Sequence, residues 1–162
     1  MLVALGIDPG SKITGYGLVG KDGPRLRLIN AGQIKTSQRA PLPERLNQIY
    51  IRLQEVISEY SPDEVAVEDI FYAKNVRSAI RLGHVRGVAL LAAAAADLPV
   101  YEYPAATIKM AVVGYGQANK EQVNLMVKHI LNVDMDLSTD TSDALATAIC
   151  HINQNQIREI AP

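Results

Sequence analysis

The chain has 162 residues, 48% hydrophobic and 20% charged, with a net charge of −1. That is ordinary for a soluble globular protein and long enough for a proper core, so one domain over residues 1–162 is expected. The longest apolar run, VALLAAAAA from Val88 to Ala96, stops at Asp97. It falls short of the roughly 18 residues that a membrane span needs, which excludes a spanning helix. The start, MLVALGIDPG, has no basic region and passes directly into a motif, so no signal peptide is expected. Cys150 is the single cysteine, which excludes an internal disulfide and points to a reducing cytoplasm. The charge balance argues mildly against nucleic acid as a partner. Its distribution runs the other way, since Ala73 to Gly87 holds Lys74, Arg77, Arg81, His84 and Arg86 and no acid.

Leu2 to Ile7 reads as a buried strand, and Gly15 to Val19 as a second one, ending in a turn at Lys21-Asp22-Gly23-Pro24. Arg25, Leu26, Arg27 and Leu28 alternate at period two, predicting a third strand, antiparallel and half exposed. From Pro43 to Tyr60 the residues Leu46, Ile49, Tyr50, Leu53, Val56 and Ile57 recur at helical spacing, and Pro62 closes the helix. Val65 to Ile70 is a short strand, Val76 to Ala96 a helix and Val100 to Tyr103 another strand. Two further helices fit Lys120 to Leu131 and Ser142 to Gln154. A hairpin followed by strand–helix–strand alternation predicts an α/β fold with a mixed sheet, five strands flanked by helices.

Carboxylates stand at the ends of these elements. Asp8 closes the first strand, Glu68 ends Val65-Ala66-Val67, and Asp140 and Asp143 open the last helix. Sites in α/β sheets lie beyond the carboxyl ends of parallel strands. If those two strands are parallel neighbours, about 4.8 Å apart, Asp8 and Glu68 face one site. Asp69 points to the opposite face. Each acid also has a plainer reading. Asp before Pro-Gly is a turn former, Glu68 a solvated strand end, and Asp140 and Asp143 an N-cap and an N3 acid. Their coincidence favours a shared cation, because clustered carboxylates repel without one. An all-oxygen ligand set suits Mg²⁺ or Mn²⁺, and no Cys/His cluster suggests zinc. Two such ions about 4 Å apart would serve phosphodiester hydrolysis.

The segments GIDPGSKITGYG, VAVEDIF, AKNVRSAIRLGHVRGVAL, VYEYPAATIKMAVVGYGQANKEQV and DTSDALATAI together resemble the RuvC family of Holliday-junction resolvases. They run in family order over nearly the whole chain. The resemblance implies a ribonuclease-H-like fold and a homodimer. It also implies an Mg²⁺-dependent endodeoxyribonuclease, acting in recombination and repair, that resolves four-way DNA junctions by paired symmetric cuts. It puts the acidic tetrad on Asp8, Glu68, Asp140 and Asp143, and makes Lys109 and Lys120 the lysines near the scissile phosphate. Phe71, the only phenylalanine, matches the aromatic at the junction centre, where stacking on a splayed base makes physical sense. Arg77 and Arg81 would reach phosphates beside the site. A branch-migration helicase of the RuvA and RuvB type is an implied partner.

Ala79, Gly83, Gly87, Leu90 and Leu91 form a small-residue stripe that fits either packing inside the monomer or the seam of a dimer. His84, His129 and His151 show no ligand spacing, and Tyr16, Tyr101 and Tyr103 read as packing residues. Two other functions compete. Ribonuclease-H-like ATPases and sugar kinases share the DPGS loop but need a second related domain, for which 162 residues leave no room. A junction-binding module without catalysis has no use for acids that repel one another.

Overall fold

The computed structural model describes residues 1–69 and 75–160, with side chains as far as residue 155 in the last helix. The elements run β1 (Leu2–Asp8), β2 (Ile13–Asp22), β3 (Arg25–Lys35), α1 (Leu42–Tyr60), β4 (Glu64–Asp69) and α2 (Val76–Ala94). They continue with β5 (Val100–Pro104), α3 (Ala105–Val113), α4 (Lys120–Leu131) and α5 (Thr139–Ile160). The five strands form one mixed sheet in the order β3-β2-β1-β4-β5. β1 pairs antiparallel with β2 and β2 with β3, while β4 runs parallel to both β1 and β5. Gly23 takes a positive φ of 57° in the β2–β3 turn, a conformation that glycine adopts without steric cost.

Strand alternation gives the sheet two apolar faces. Val3, Leu5, Ile7, Val65 and Val67 pack under α1 and α2 with Ile49, Leu53, Val85 and Ala89. Ala4, Ala66, Val19 and Tyr103 face α3, α4 and α5, packing with Ile108, Val127, Leu145 and Ile149. Glycine sets how closely α5 approaches that second face. A Cβ on Gly6 would run into the Ala144 carbonyl and stand 2.7 Å from the Ala148 nitrogen, and one on Gly15 would strike the Asp140 carbonyl. Side chains there would push the helix, and its acids, off the sheet.

Three expectations change. α3 is a helix that periodicity did not predict, and α5 begins three residues earlier than expected. The exposed stripe of α2 is also rotated. Val76, Ile80 and Leu91 stand 75%, 56% and 58% exposed, whereas Leu90 turns inward against the core. Among the described residues, a Cβ on Gly83 or Gly87 would meet nothing within 4 Å, so close packing against them does not explain either glycine. His151 is fully buried, its Nδ1 2.8 Å from the Tyr103 hydroxyl and its Nε2 2.6 Å from Glu64, whereas His84 and His129 are exposed. Among the described residues, no helix is long and apolar enough to cross a membrane.

Candidate active site

β1 and β4 pair with Ile7 opposite Val67, so Asp8 and Glu68 come next in register at the carboxyl ends of two parallel neighbours. Both lie on the α5 side: Asp8 follows Ala4 and Gly6, and Glu68 is the register partner of inward-facing Tyr103. The opening turns of α5 bring Asp140 and Asp143 over the same end of the sheet, through the close approach at Gly6 and Gly15. Asp8, Glu68, Asp143, Lys109 and Lys120 line one cavity of about 240 Å³. Asp140 stands beside that cavity, and its charge still acts on Asp8.

The capping reading of the two α5 acids does not hold. Ser138 caps the helix instead, its Oγ accepting from the Thr141 backbone N–H at 3.2 Å. Asp140 and Asp143 fall inside the helix, where their side chains take other partners. Gln33 Nε2 donates to Asp140 Oδ2 at 3.1 Å, and Lys120 Nζ donates to Asp143 Oδ2 at 3.2 Å. Both acids still sit near the positive end of the helix dipole, which lowers the cost of holding them charged.

The electrostatics show what the cluster lacks. Burial, followed by repulsion from Asp143, Glu68 and Asp140, pushes Asp8 from its ordinary value of 3.8 up to about 8, with Lys120 opposing. Glu68 moves the same way through burial and Asp143, against the pull of Lys109 and Lys120. For Lys120, burial lowers the pKa but the charges of Asp143, Asp8 and Asp140 outweigh it, so the ammonium is held. A carboxyl group pushed up to about 8 marks a place short of positive charge. Among the described residues, no three His, Cys, Asp or Glu side chains are arranged to hold a metal ion as they stand. The donors fit a hard divalent cation all the same: they are oxygens only, they share one open cavity, and their mutual repulsion is what a dication removes.

Asn75 caps α2, its Oδ1 accepting from the Arg77 N–H at 2.9 Å. Arg77 and Arg81 lie one turn apart on that helix, exposed to solvent. Phe71 and Lys74 lie outside the described residues. Sequence reasoning missed Gln33 and Arg86. Gln33 pairs with Gly15 across the β2–β3 ladder, which aims it at the α5 start, and only the register reveals that. Arg86 reads as one more base in an acid-free segment, yet its side chain is only 17% exposed and reaches the end of β4.

Comparison with known proteins agrees with this architecture. The sequence pattern of the family described as crossover junction endodeoxyribonuclease RuvC matches residues 4–151. A protein of that description from Trichlorobacter lovleyi is 53% identical over 154 residues, covering 95% of this chain and 86% of its own. One from Syntrophotalea carbinolica is 56% identical over 147 residues, with 91% of each chain covered. Among solved structures, T. thermophilus RuvC in complex with Holliday junction substrate superposes with a TM-score of 0.92 at 36% identity, covering 98% of this chain and 97% of that one. A yeast mitochondrial Holliday junction resolvase shares the fold at a TM-score of 0.70 and 14% identity. On the strength of these matches, this chain belongs to the RuvC family of crossover junction endodeoxyribonucleases, with that family's ribonuclease-H-like fold.

Proposed function

We propose that this chain resolves four-way DNA junctions as a metal-dependent, structure-selective endodeoxyribonuclease, making paired symmetric cuts during recombination and repair. The observation that carries the proposal is the gathering of Asp8, Glu68, Asp143, Lys109 and Lys120 around one cavity, with Asp8 pushed up to about 8. Asp8, Glu68, Asp140 and Asp143 hold two Mg²⁺ ions, and Mn²⁺ also supports activity. Bound there, the cation supplies Lewis-acid chemistry, lowering the pKa of water and offsetting charge on the phosphodiester oxygens. The protein's share is positioning and charge. Gln33 fixes the rotamer of Asp140, and Lys120 that of Asp143. The Lys120 ammonium, held protonated by three acids, holds the scissile phosphate and stabilises the charge that develops on it. Lys109, on the other wall of the cavity, acts on the same phosphate.

Phe71, Arg77 and Arg81 meet the junction strands beside the site. Two junction strands need cutting, so two sites related by a two-fold axis fit the substrate. The open α2 face of Ile80, Gly83, Gly87 and Leu91 supports a homodimer through that helix, because a Cβ on either glycine would meet nothing among the described residues. Residues 1–162 work as one nuclease domain in the cytoplasm, with a RuvA- and RuvB-type helicase complex as partner. A synthetic four-way junction with labelled arms tests the proposal. Cuts at symmetric positions in Mg²⁺, and none in a chelator, support it. Binding without cutting in every divalent metal would favour a silent junction-binding module.

A further inference from the structure

Arg86 leaves α2 and crosses the carboxyl ends of β4 and β5 on the sheet face opposite the acid cluster. Its Nη2 donates to Asp69 Oδ1 at 3.3 Å and to the carboxylate of Glu102, and its Nε donates to the Glu68 carbonyl at 3.4 Å. Val67 and Glu102 are register partners on neighbouring parallel strands, and Asp69 lies two pairs further along, on the same face. One guanidinium thus ties together the ends of both strands and the main chain of Glu68. We propose that Arg86 is a positioning residue for metal binding, fixing the Glu68 backbone from behind so that its carboxylate meets the ion already oriented. The inference rests on the reading of Glu68 as a metal ligand.

Glu68 is the last residue but one of β4, and Asp69, paired with Pro104 of β5, closes the described part of that strand, so the direction of the Glu68 carboxylate depends on what holds residues 68 and 69. Asp69 and Glu102 are two acids behind an already negative site, and the guanidinium that contacts both offsets their repulsion. A planar fork with several donors can span two carboxylates and a carbonyl, whereas an ammonium cannot. Groups that orient a metal ligand without touching the metal change affinity by roughly 10–100-fold when altered.

Arg86→Lys separates shape from charge, because it keeps the cation and loses the fork. The readouts are Mn²⁺ titration of the DNA-free protein by paramagnetic resonance, junction binding in Ca²⁺, and cleavage rate. Arg86→Lys should raise the Mn²⁺ concentration for half-saturation by roughly tenfold and slow cleavage at limiting metal, with junction binding unchanged. Glu102→Gln removes one anchor and should move the titration the same way by a smaller factor. It carries the test alone should Arg86→Lys fail to fold. A lowered melting temperature with an unchanged Mn²⁺ titration would make Arg86 a purely structural residue and overturn the inference. A wild type that binds Mn²⁺ but cuts no junction would remove the proposed function and leave the Arg86 titration decisive. A wild type that binds no Mn²⁺ would remove both.

Discussion

Replacing Asp8 with Asn should stabilise the metal-free protein at pH 8 while destroying its response to metal. Asp8 is raised from 3.8 to about 8, so the native state keeps a proton that the unfolded chain releases across that window. A native state that binds more protons loses stability as pH rises, so the metal-free protein should weaken steadily from about pH 4 to pH 8. The interval from 3.8 to about 8, at about 1.4 kcal/mol per pH step, sets an upper limit on the order of 6 kcal/mol. Side-chain rearrangement and water entry reduce such figures severalfold, to about 1–3 kcal/mol. Asn has the same shape and never ionises. In chelator at pH 8, Asp8→Asn should therefore melt about 3–10 °C higher than wild type, and the two should coincide near pH 4. Added Mg²⁺ or Mn²⁺ should raise the wild-type melting temperature and leave the variant where it was. Parallel melting profiles for the two proteins across pH 4–8 would refute the reasoning, since Asp8 would then carry no excess charge.

The other predictions follow from specific contacts. Gly6→Ala should cost about 3 kcal/mol and lower the melting temperature by about 6–12 °C, because the added methyl meets α5 backbone that cannot move aside. Thermal unfolding in chelator measures it. Lys120→Ala should slow cleavage on the order of a hundredfold and change junction affinity less than twofold. A loss of binding in proportion to rate would make Lys120 a docking residue. Gly87→Leu should give monomers by light scattering that keep metal-induced stabilisation but make unpaired cuts, since the described residues leave that position open.

Much of the fold and the site was legible because period-two alternation is a local property. Leu2 to Asp8 and Val65 to Glu68 each reveal which way their last acid points, and a parallel pairing then brings the two acids together. What escaped depends on register or on helix phase. AATIKMAVV, directly after β5, is apolar nearly all round, so it has no period to announce a helix. In α2 the small residues Ala79, Gly83 and Gly87 drew Leu90 into one stripe with Leu91, whereas the phase of the helix turns Leu90 inward and leaves Ile80 exposed. The start of α5 was misplaced because Asp140 is as good a capping type as Ser138, and only the hydrogen bond distinguishes them. Gln33 and Arg86 act through partners 107 and up to 18 residues away, which no local pattern reveals.

The most direct measurement is strand-resolved cleavage of a four-way junction that carries a different label on each arm, with purified protein in Mg²⁺, Ca²⁺ and chelator. The account predicts cuts in two strands of like polarity at symmetric positions in Mg²⁺, bound but uncut junction in Ca²⁺, and no cutting in chelator. Equal cutting in Ca²⁺ or in chelator would contradict the claim that the carboxylate cluster works through a divalent metal.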